Sequence, residues 1–391
     1  MRRREFLRAV GFTGLSVSLS LPGCIEIRGQ PRTQAVLPPL ADDRPDAIYH
    51  PTHTESMVFL GTETVGDYKL GLTYSFPERF WNVTGQRTSR VDPTVEDDIH
   101  LMATVWDAKT GVVLPVASGV DVEILRGDET VEERTLWPML SQNMGFHYGD
   151  NLSLDGNGRY VVRVSVPGME IERAGDFEGK FGDGGTVDFA FEYTRSSMTQ
   201  IPYKKYPGKM GERDAIEPRE LEVVPPLSTP SRSTNESRER SRNMVKDYAI
   251  PVSASPRVED IPGDTLGTQS LGDTLLCPTL LGVETDSDED DTDIPRHIAV
   301  SPRTVYNSFP LPMASLAARL VDSGETVFES YLEARIDPEI GYHYATSSPV
   351  DSKTLDSAEI LTVTVETPPQ VARHEGYETA FMRTGDVSFE I

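Results

Sequence analysis

All seven histidines of this 391-residue chain fall into three small groups: His50 with His53, His100 with His147, and His297 with His343 and His374. Two of them sit in the same tetrad, Gly145-Phe146-His147-Tyr148 and Gly341-Tyr342-His343-Tyr344. Each tetrad follows another histidine at nearly the same distance, 47 positions from His100 and 46 from His297. Neutral imidazole is the commonest metal ligand among side chains. The thioethers of Met102 and Met139 stand close to the first pair in sequence. Imidazole with thioether suits copper in either oxidation state or a loosely held Fe(II), whereas zinc sites draw more often on thiolate or carboxylate. No catalytic triad, phosphate loop or nucleotide fingerprint is legible, so the pattern points to a binding protein and not an enzyme.

The agreement between the two regions extends beyond the histidines. Pro115 and Pro312 follow the first histidine of each pair at the same distance, as do Gly127 and Gly324. With one deleted residue, Glu129-Thr130-Val131 falls on Glu325-Thr326-Val327. Tandem copies of one domain are the organising expectation. The copies differ in a complementary way: Arg335 stands where the first has Met139, and His374 stands where the first has Ala174. Neither copy alone holds the full set.

The segments that must position these residues alternate polar and apolar side chains. Ile99 to Val105, Val120 to Ile124 and Tyr160 to Val164 do so in the first region, and Leu316 to Val321, Thr326 to Tyr331 and Ile360 to Val365 in the second. A period of two between Gly, Asp and Asn turns indicates strands. The expected fold class is all-β, with two immunoglobulin-like β-sandwich domains in tandem. The expected layout is a first domain at 47–195, a linker or flexible insert rich in Pro, Ser, Arg and Glu at 196–262, and a second, diverged domain at 263–391. On a strand His100 and Met102 share a face. A Gly-containing loop starting at Trp137-Pro138-Met139-Leu140 would carry Met139 and His147 back over it. His50 and His53 could add a capture site near the mouth of the first domain, although Pro51 between them fits a solvated connector. The acidic run from Thr285 to Asp291 lacks the central glycine and terminal glutamate of a helical calcium loop and reads as solvated.

The first residues give an address. Arg2-Arg3-Arg4-Glu5-Phe6-Leu7, a short apolar stretch and Leu21-Pro22-Gly23-Cys24 read as a twin-arginine (Tat) lipoprotein signal peptide over 1–23. Cys24 would carry lipid, with a tether over 24–46 holding the protein at the outer face of the plasma membrane. Cys277 would then be a lone thiol, most simply a small buried hydrophobe. The net charge of −25 argues against nucleic acid as a partner and fits a halophilic surface or one that attracts cations.

Three signatures together resemble the periplasmic iron-transport proteins, immunoglobulin-like metal-binding proteins that accompany high-affinity iron permeases. They are Asp98-Ile99-His100-Leu101-Met102-Ala103, Pro138-Met139 through His147-Tyr148-Gly149-Asp150-Asn151, and Arg373-His374. The resemblance implies that His100, Met139 and His147 are metal ligands, that His374 is the late histidine, and that the ion is Fe2+ or copper. Met102 replaces a family glutamate, which would favour copper. In that family the site lies at a homodimer interface, so intramolecular pairing of two fused halves would let His374 complete the first-half site. His297 and His343 would form a second, degenerate pseudo-site. The implied role is metal capture for iron uptake, with a membrane iron permease as partner. A metal-free structural or adhesive lipoprotein is the alternative, and a copper redox enzyme would need an open coordination position.

Overall fold

The computed structural model describes residues 37–117, 119–217, 223–224, 250–282 and 295–391. The expected signal peptide, Cys24, most of the expected tether, the middle of the expected insert and the acidic run lie outside the described residues. The described residues from 37 onward belong to one compact unit.

The first half opens with β1 (His53–Glu55), β2 (Met57–Val65), β3 (Tyr68–Ser75), β4 (Phe80–Thr84) and β5 (Arg87–Val91). It continues through β6 (Ile99–Asp107), β7 (Val120–Arg126), β8 (Glu129–Ser141), β9 (Gly145–Leu152), β10 (Gly158–Val166), β11 (Glu172–Arg173) and β12 (Gly185–Tyr193). The next segment adds β13 (Tyr203–Lys205) and β14 (Val223–Val224). The main path runs β12-β10-β7-β8-β9-β6-β3-β2-β14. β8 turns this path into a sandwich because it changes partner midway. Its residues up to Leu136 pair with β7, and Trp137–Ser141 pair with β9. Val122, Ile124, Val162 and Val164 from one layer and Leu70, Leu72, Leu101 and Val105 from the other close one buried core. Period-two alternation puts every second side chain there.

The second half comprises β15 (Asp264–Thr265), β16 (Gln269–Leu271), β17 (Thr274–Gly282), β18 (Arg296–Thr304) and β19 (Ser315–Asp322). β20 (Glu325–Asp337), β21 (Gly341–Thr346), β22 (Ile360–Thr367), β23 (Ala372–His374) and β24 (Gly385–Glu390) complete it. Its path is β15-β17-β18-β21-β20-β19-β22-β24. Reversed, that order matches β12-β10-β7-β8-β9-β6-β3 strand for strand. β20, like β8, has 13 residues and changes partner midway, from β19 to β21. The fold is all-β apart from short helical turns, with a sandwich in each half.

Two short strands cross between the halves. β23 lies parallel to β8, with Ala372 opposite Met139 and Arg373 opposite Leu140. β11 lies parallel to β20, with Glu172 opposite Arg335 and Arg173 opposite Ile336. Phe309, Leu311, Val371 and Phe381 of the second half join the first core.

Part of the expected linker is packed structure. β13 pairs with β1, and Ile201, Ile216 and Ile250 are buried. Gln142 accepts from the amide of Ile216, 2.8 Å, and donates to the carbonyl of Tyr49, 2.8 Å. Polar composition marked these residues as insert, yet backbone pairing, the Gln142–Ile216 hydrogen bond and three spaced, buried isoleucines tie them to the first half. Cys277 is free and buried.

Candidate metal centre

β6 is covered on both faces. Ile99, Leu101 and Ala103 enter the core, which leaves His100 and Met102 on the opposite face. Pairing with β9 sets His100 against Asn151 and Met102 against Gly149, so His147, Gly149 and Asn151 share that face. Met139 stands opposite His147 across the β8–β9 ladder. The expected long loop between them is a hairpin whose strands are joined by residues 142–144. β23 then delivers His374 alongside β8, with its other edge on Phe80 of β4.

The five sequence-predicted ligands are therefore neighbours. Ring nitrogens of His100, His147 and His374 all lie within 4.8 Å of one another, the one such group of three or more His, Cys, Asp or Glu among the described residues. The His374 ring is perpendicular to His100 at 5.4 Å between centroids and stacks on His147 at 5.2 Å. Met139 is fully buried. A Cβ added at Gly149 would meet both His100 Nε2 at 2.9 Å and Met139 Sδ at 3.1 Å, so glycine keeps open the space on which these donors converge. Met102 lies beside this space in a buried group with Met57 and Met144, and lines a cleft with His147 and His374.

Each imidazole is held by its Nδ1. His100 Nδ1 donates to Asn151 Oδ1 at 2.9 Å, His147 Nδ1 to the Gly145 carbonyl at 3.1 Å, and His374 Nδ1 to Glu78 Oε2 at 2.7 Å. Those bonds select the tautomer whose Nε2 lone pair is free. All three Nε2 atoms are buried without a hydrogen-bond partner. An unsatisfied buried polar atom costs about 1–3 kcal/mol, and three aimed at one space form a site that a cation would relieve. Burial, aided by the neighbouring His374, pushes the His147 ring down to about 3. Burial likewise brings His100 down to about 4. Both lone pairs are thus available at neutral pH, as metal binding requires.

Glu78, in the turn between β3 and β4, was not legible in the sequence. Burial pushes its carboxyl up, but the facing His374 and His100 rings outweigh this and hold it well below the usual range. Asn151 clamps its backbone, accepting from the Glu78 amide at 2.9 Å and donating to its carbonyl at 2.8 Å. A carboxylate on the far nitrogen of a ligand histidine raises its basicity and fixes its orientation. Glu78→Gln keeps the shape and removes the charge. Metal affinity should fall about 10–100-fold with thermal stability little changed, measured by competition titration and thermal melting. Arg373 is fully buried behind His374. It donates to the carbonyls of Ala380 and, at 2.9 Å, of Pro369, pinning the segment that carries the imidazole.

The second half repeats the scaffold without the ligand set. His343 Nδ1 donates to the Gly341 carbonyl at 3.0 Å, as His147 does to Gly145, and Arg335 takes the place of Met139 opposite it. Arg335 pairs with Glu172 at 2.9 Å, and His297 Nδ1 donates to the Thr346 carbonyl at 2.7 Å. A fixed guanidinium thus stands where the first half presents a thioether. Elsewhere, His50 is buried edge-on against Tyr206 at 4.4 Å, and His53 lies on β1 between two glutamates.

Fold and site together define a double β-sandwich with one buried three-histidine, one-methionine centre of the kind that takes a metal ion. Residues 62–178 match the family described as Fe2+ transport protein, and this stretch carries His100, Met102, Met139 and His147. Residues 259–390, which carry His297, His343 and His374, match a domain of unknown function, DUF7350. Among solved structures the chain is similar to as-isolated FetP of a uropathogenic Escherichia coli strain, with 20% identity over 36% of this chain and 96% of that one and a TM-score of 0.28. It is also similar to a copper-bound glutamate-to-glutamine variant of that FetP, with 21% identity over 35% and 97% and a TM-score of 0.29. Comparison with curated proteins gave no match.

Proposed function

We propose that this protein is an extracytoplasmic metal-binding lipoprotein that captures iron or copper for iron uptake. Cys24 would anchor it to the membrane near a permease. The observation that carries this reading is the trio of buried, unpartnered Nε2 atoms of His100, His147 and His374, with Met139 beside them. The mixed imidazole and thioether set fits copper or Fe(II) better than a hard ion. The chain works as a fused dimer: His374, from the second half, completes a centre otherwise built on the first, and the His297–His343 pseudo-site is degenerate because Arg335 occupies the methionine position. The matched strand orders and the exchanged strands β11 and β23 support this arrangement. The surface of net charge −25 concentrates cations around it.

Titration of the purified chain with Cu(I), Cu(II) and Fe(II), followed by elemental analysis, is expected to give one tightly held ion per chain. Absence of any stoichiometric binding would overturn the proposal in favour of a structural or adhesive β-sandwich protein.

A further inference from the structure

The thioethers near the centre do not end with Met139. Met57, Met102 and Met144 pack on one another as a buried group apart from the main core, and all three line the cleft that reaches His147 and His374. They come from β2, β6 and the turn between β8 and β9. Thr73 of β3 stands opposite Met102, and its hydroxyl donates to Met57 Sδ at 3.7 Å. The Met144 backbone is held on both sides: its amide donates to Ser141 Oγ at 3.1 Å and its carbonyl accepts from the Ser253 amide at 3.3 Å.

Packing alone does not call for sulfur here. Counted from the matched histidines, Ala299 stands on β18 where β6 has Met102, and Ile340 stands before β21 where the first half has Met144. Both are buried, so the repeated scaffold closes with hydrocarbon at these positions. The thioether is present at each only in the half that holds the centre. Thioether sulfur is a soft donor that selects Cu(I) over harder divalent ions. An unbranched methionine also turns about three rotatable bonds, so its sulfur can follow an ion while the backbone stays in place.

We infer that Met57, Met102 and Met144 form a Cu(I) relay, which takes the ion from the cleft and passes it to the three-histidine centre. The inference rests on the metal-capture reading and adds to it the oxidation state in which copper enters. His147 and His374 line the same cleft as the three thioethers, and their Nε2 atoms are without a hydrogen-bond partner. Transfer exchanges sulfur–copper bonds for nitrogen–copper bonds at these atoms. Copper remains Cu(I) throughout. Thioethers carry no proton, and the Nδ1 bonds of both rings leave each Nε2 lone pair free, so the exchange displaces no proton.

The test presents Cu(I) on a chromogenic chelator to the purified full-length chain without oxygen, and follows uptake by stopped-flow absorbance and by equilibrium titration. Met57→Leu combined with Met144→Leu spares Met102 and Met139, and such volume-conserving swaps are well tolerated in a buried group. This double variant should load Cu(I) more slowly by about tenfold or more, because the soft donors on the way are gone. Its final copper stoichiometry, its thermal melt and its rate of Cu(II) uptake should match the wild type. Cu(I) loading at the wild-type rate would overturn the relay and leave metal capture standing. Equal slowing of Cu(I) and Cu(II) would do the same, marking the methionines as cleft wall alone. Wild-type chain that binds Fe(II) and no Cu(I) would also sink the relay alone, whereas a chain that binds neither ion would overturn both readings.

Discussion

Replacing His374 by alanine should lower metal affinity as severely as replacing His147, although the two residues lie in different halves of the chain. Each supplies one unpartnered Nε2 to the same space. Losing a direct ligand should exceed the ~10–100-fold effect of losing a group that only orients one, so a fall of more than about 100-fold is expected. His374→Ala is also the more informative variant. Its strand is held by backbone pairing to β4 and β8 and by the Arg373 guanidinium, none of which needs the imidazole. The fold should therefore persist, as a thermal melt would report. Glu78 would lose this partner but keep the Ser75 hydroxyl, which donates to its Oε1 at 3.0 Å. Binding lost in His147→Ala and retained in His374→Ala would confine the centre to the first half and end the fused-dimer reading.

The double variant Arg335→Met, Ala174→His should raise the metal content from one ion per chain to two. The register places residue 335 opposite His343 as Met139 is opposite His147, and β11 runs beside β20 as β23 runs beside β8. Ala174, extended at φ −119° and donating its amide to the Ile336 carbonyl at 3.0 Å, occupies the place that His374 has in the other crossing. His343 is already held neutral, since burial pushes it down to about 4. The change removes the Arg335–Glu172 pair. Glu172 is about half exposed, so that loss costs little. Arg335→Met alone should bind no second ion, because the third imidazole is missing. A folded double variant that still holds one ion would show that the two hairpins are not equivalent as metal scaffolds.

Much of this was legible in the chain itself. Period-two alternation pointed to strands, and the paired Gly-aromatic-His-Tyr tetrads pointed to two related segments. The exchange of Met139 for Arg335 and of Ala174 for His374 already said that neither half is complete. The stretch from Trp137 to His147 reads in sequence as a Gly-containing loop, whereas it is the β8–β9 ladder with a short turn. In the structure Pro138 pairs with Tyr148 of β9 and, on its other edge, sits between the last β7 partner at Leu136 and the first β23 partner at Met139.

What alternation encodes is local: which face of a strand a side chain takes. Whether His374 reaches His100 depends on a three-residue strand pairing across the whole chain, and no period records a pairing between distant segments. Glu78 and Asn151 gain their roles only from that closure, because a carboxylate in a turn acquires meaning when an imidazole is folded against it. The docking of β13 on β1 is likewise a pairing between distant segments, within a stretch whose polar composition reads as a linker. The residue types and their pairing in sequence came from the chain; their convergence into one buried centre came from the tertiary fold, where long-range β-pairing brings distant segments together.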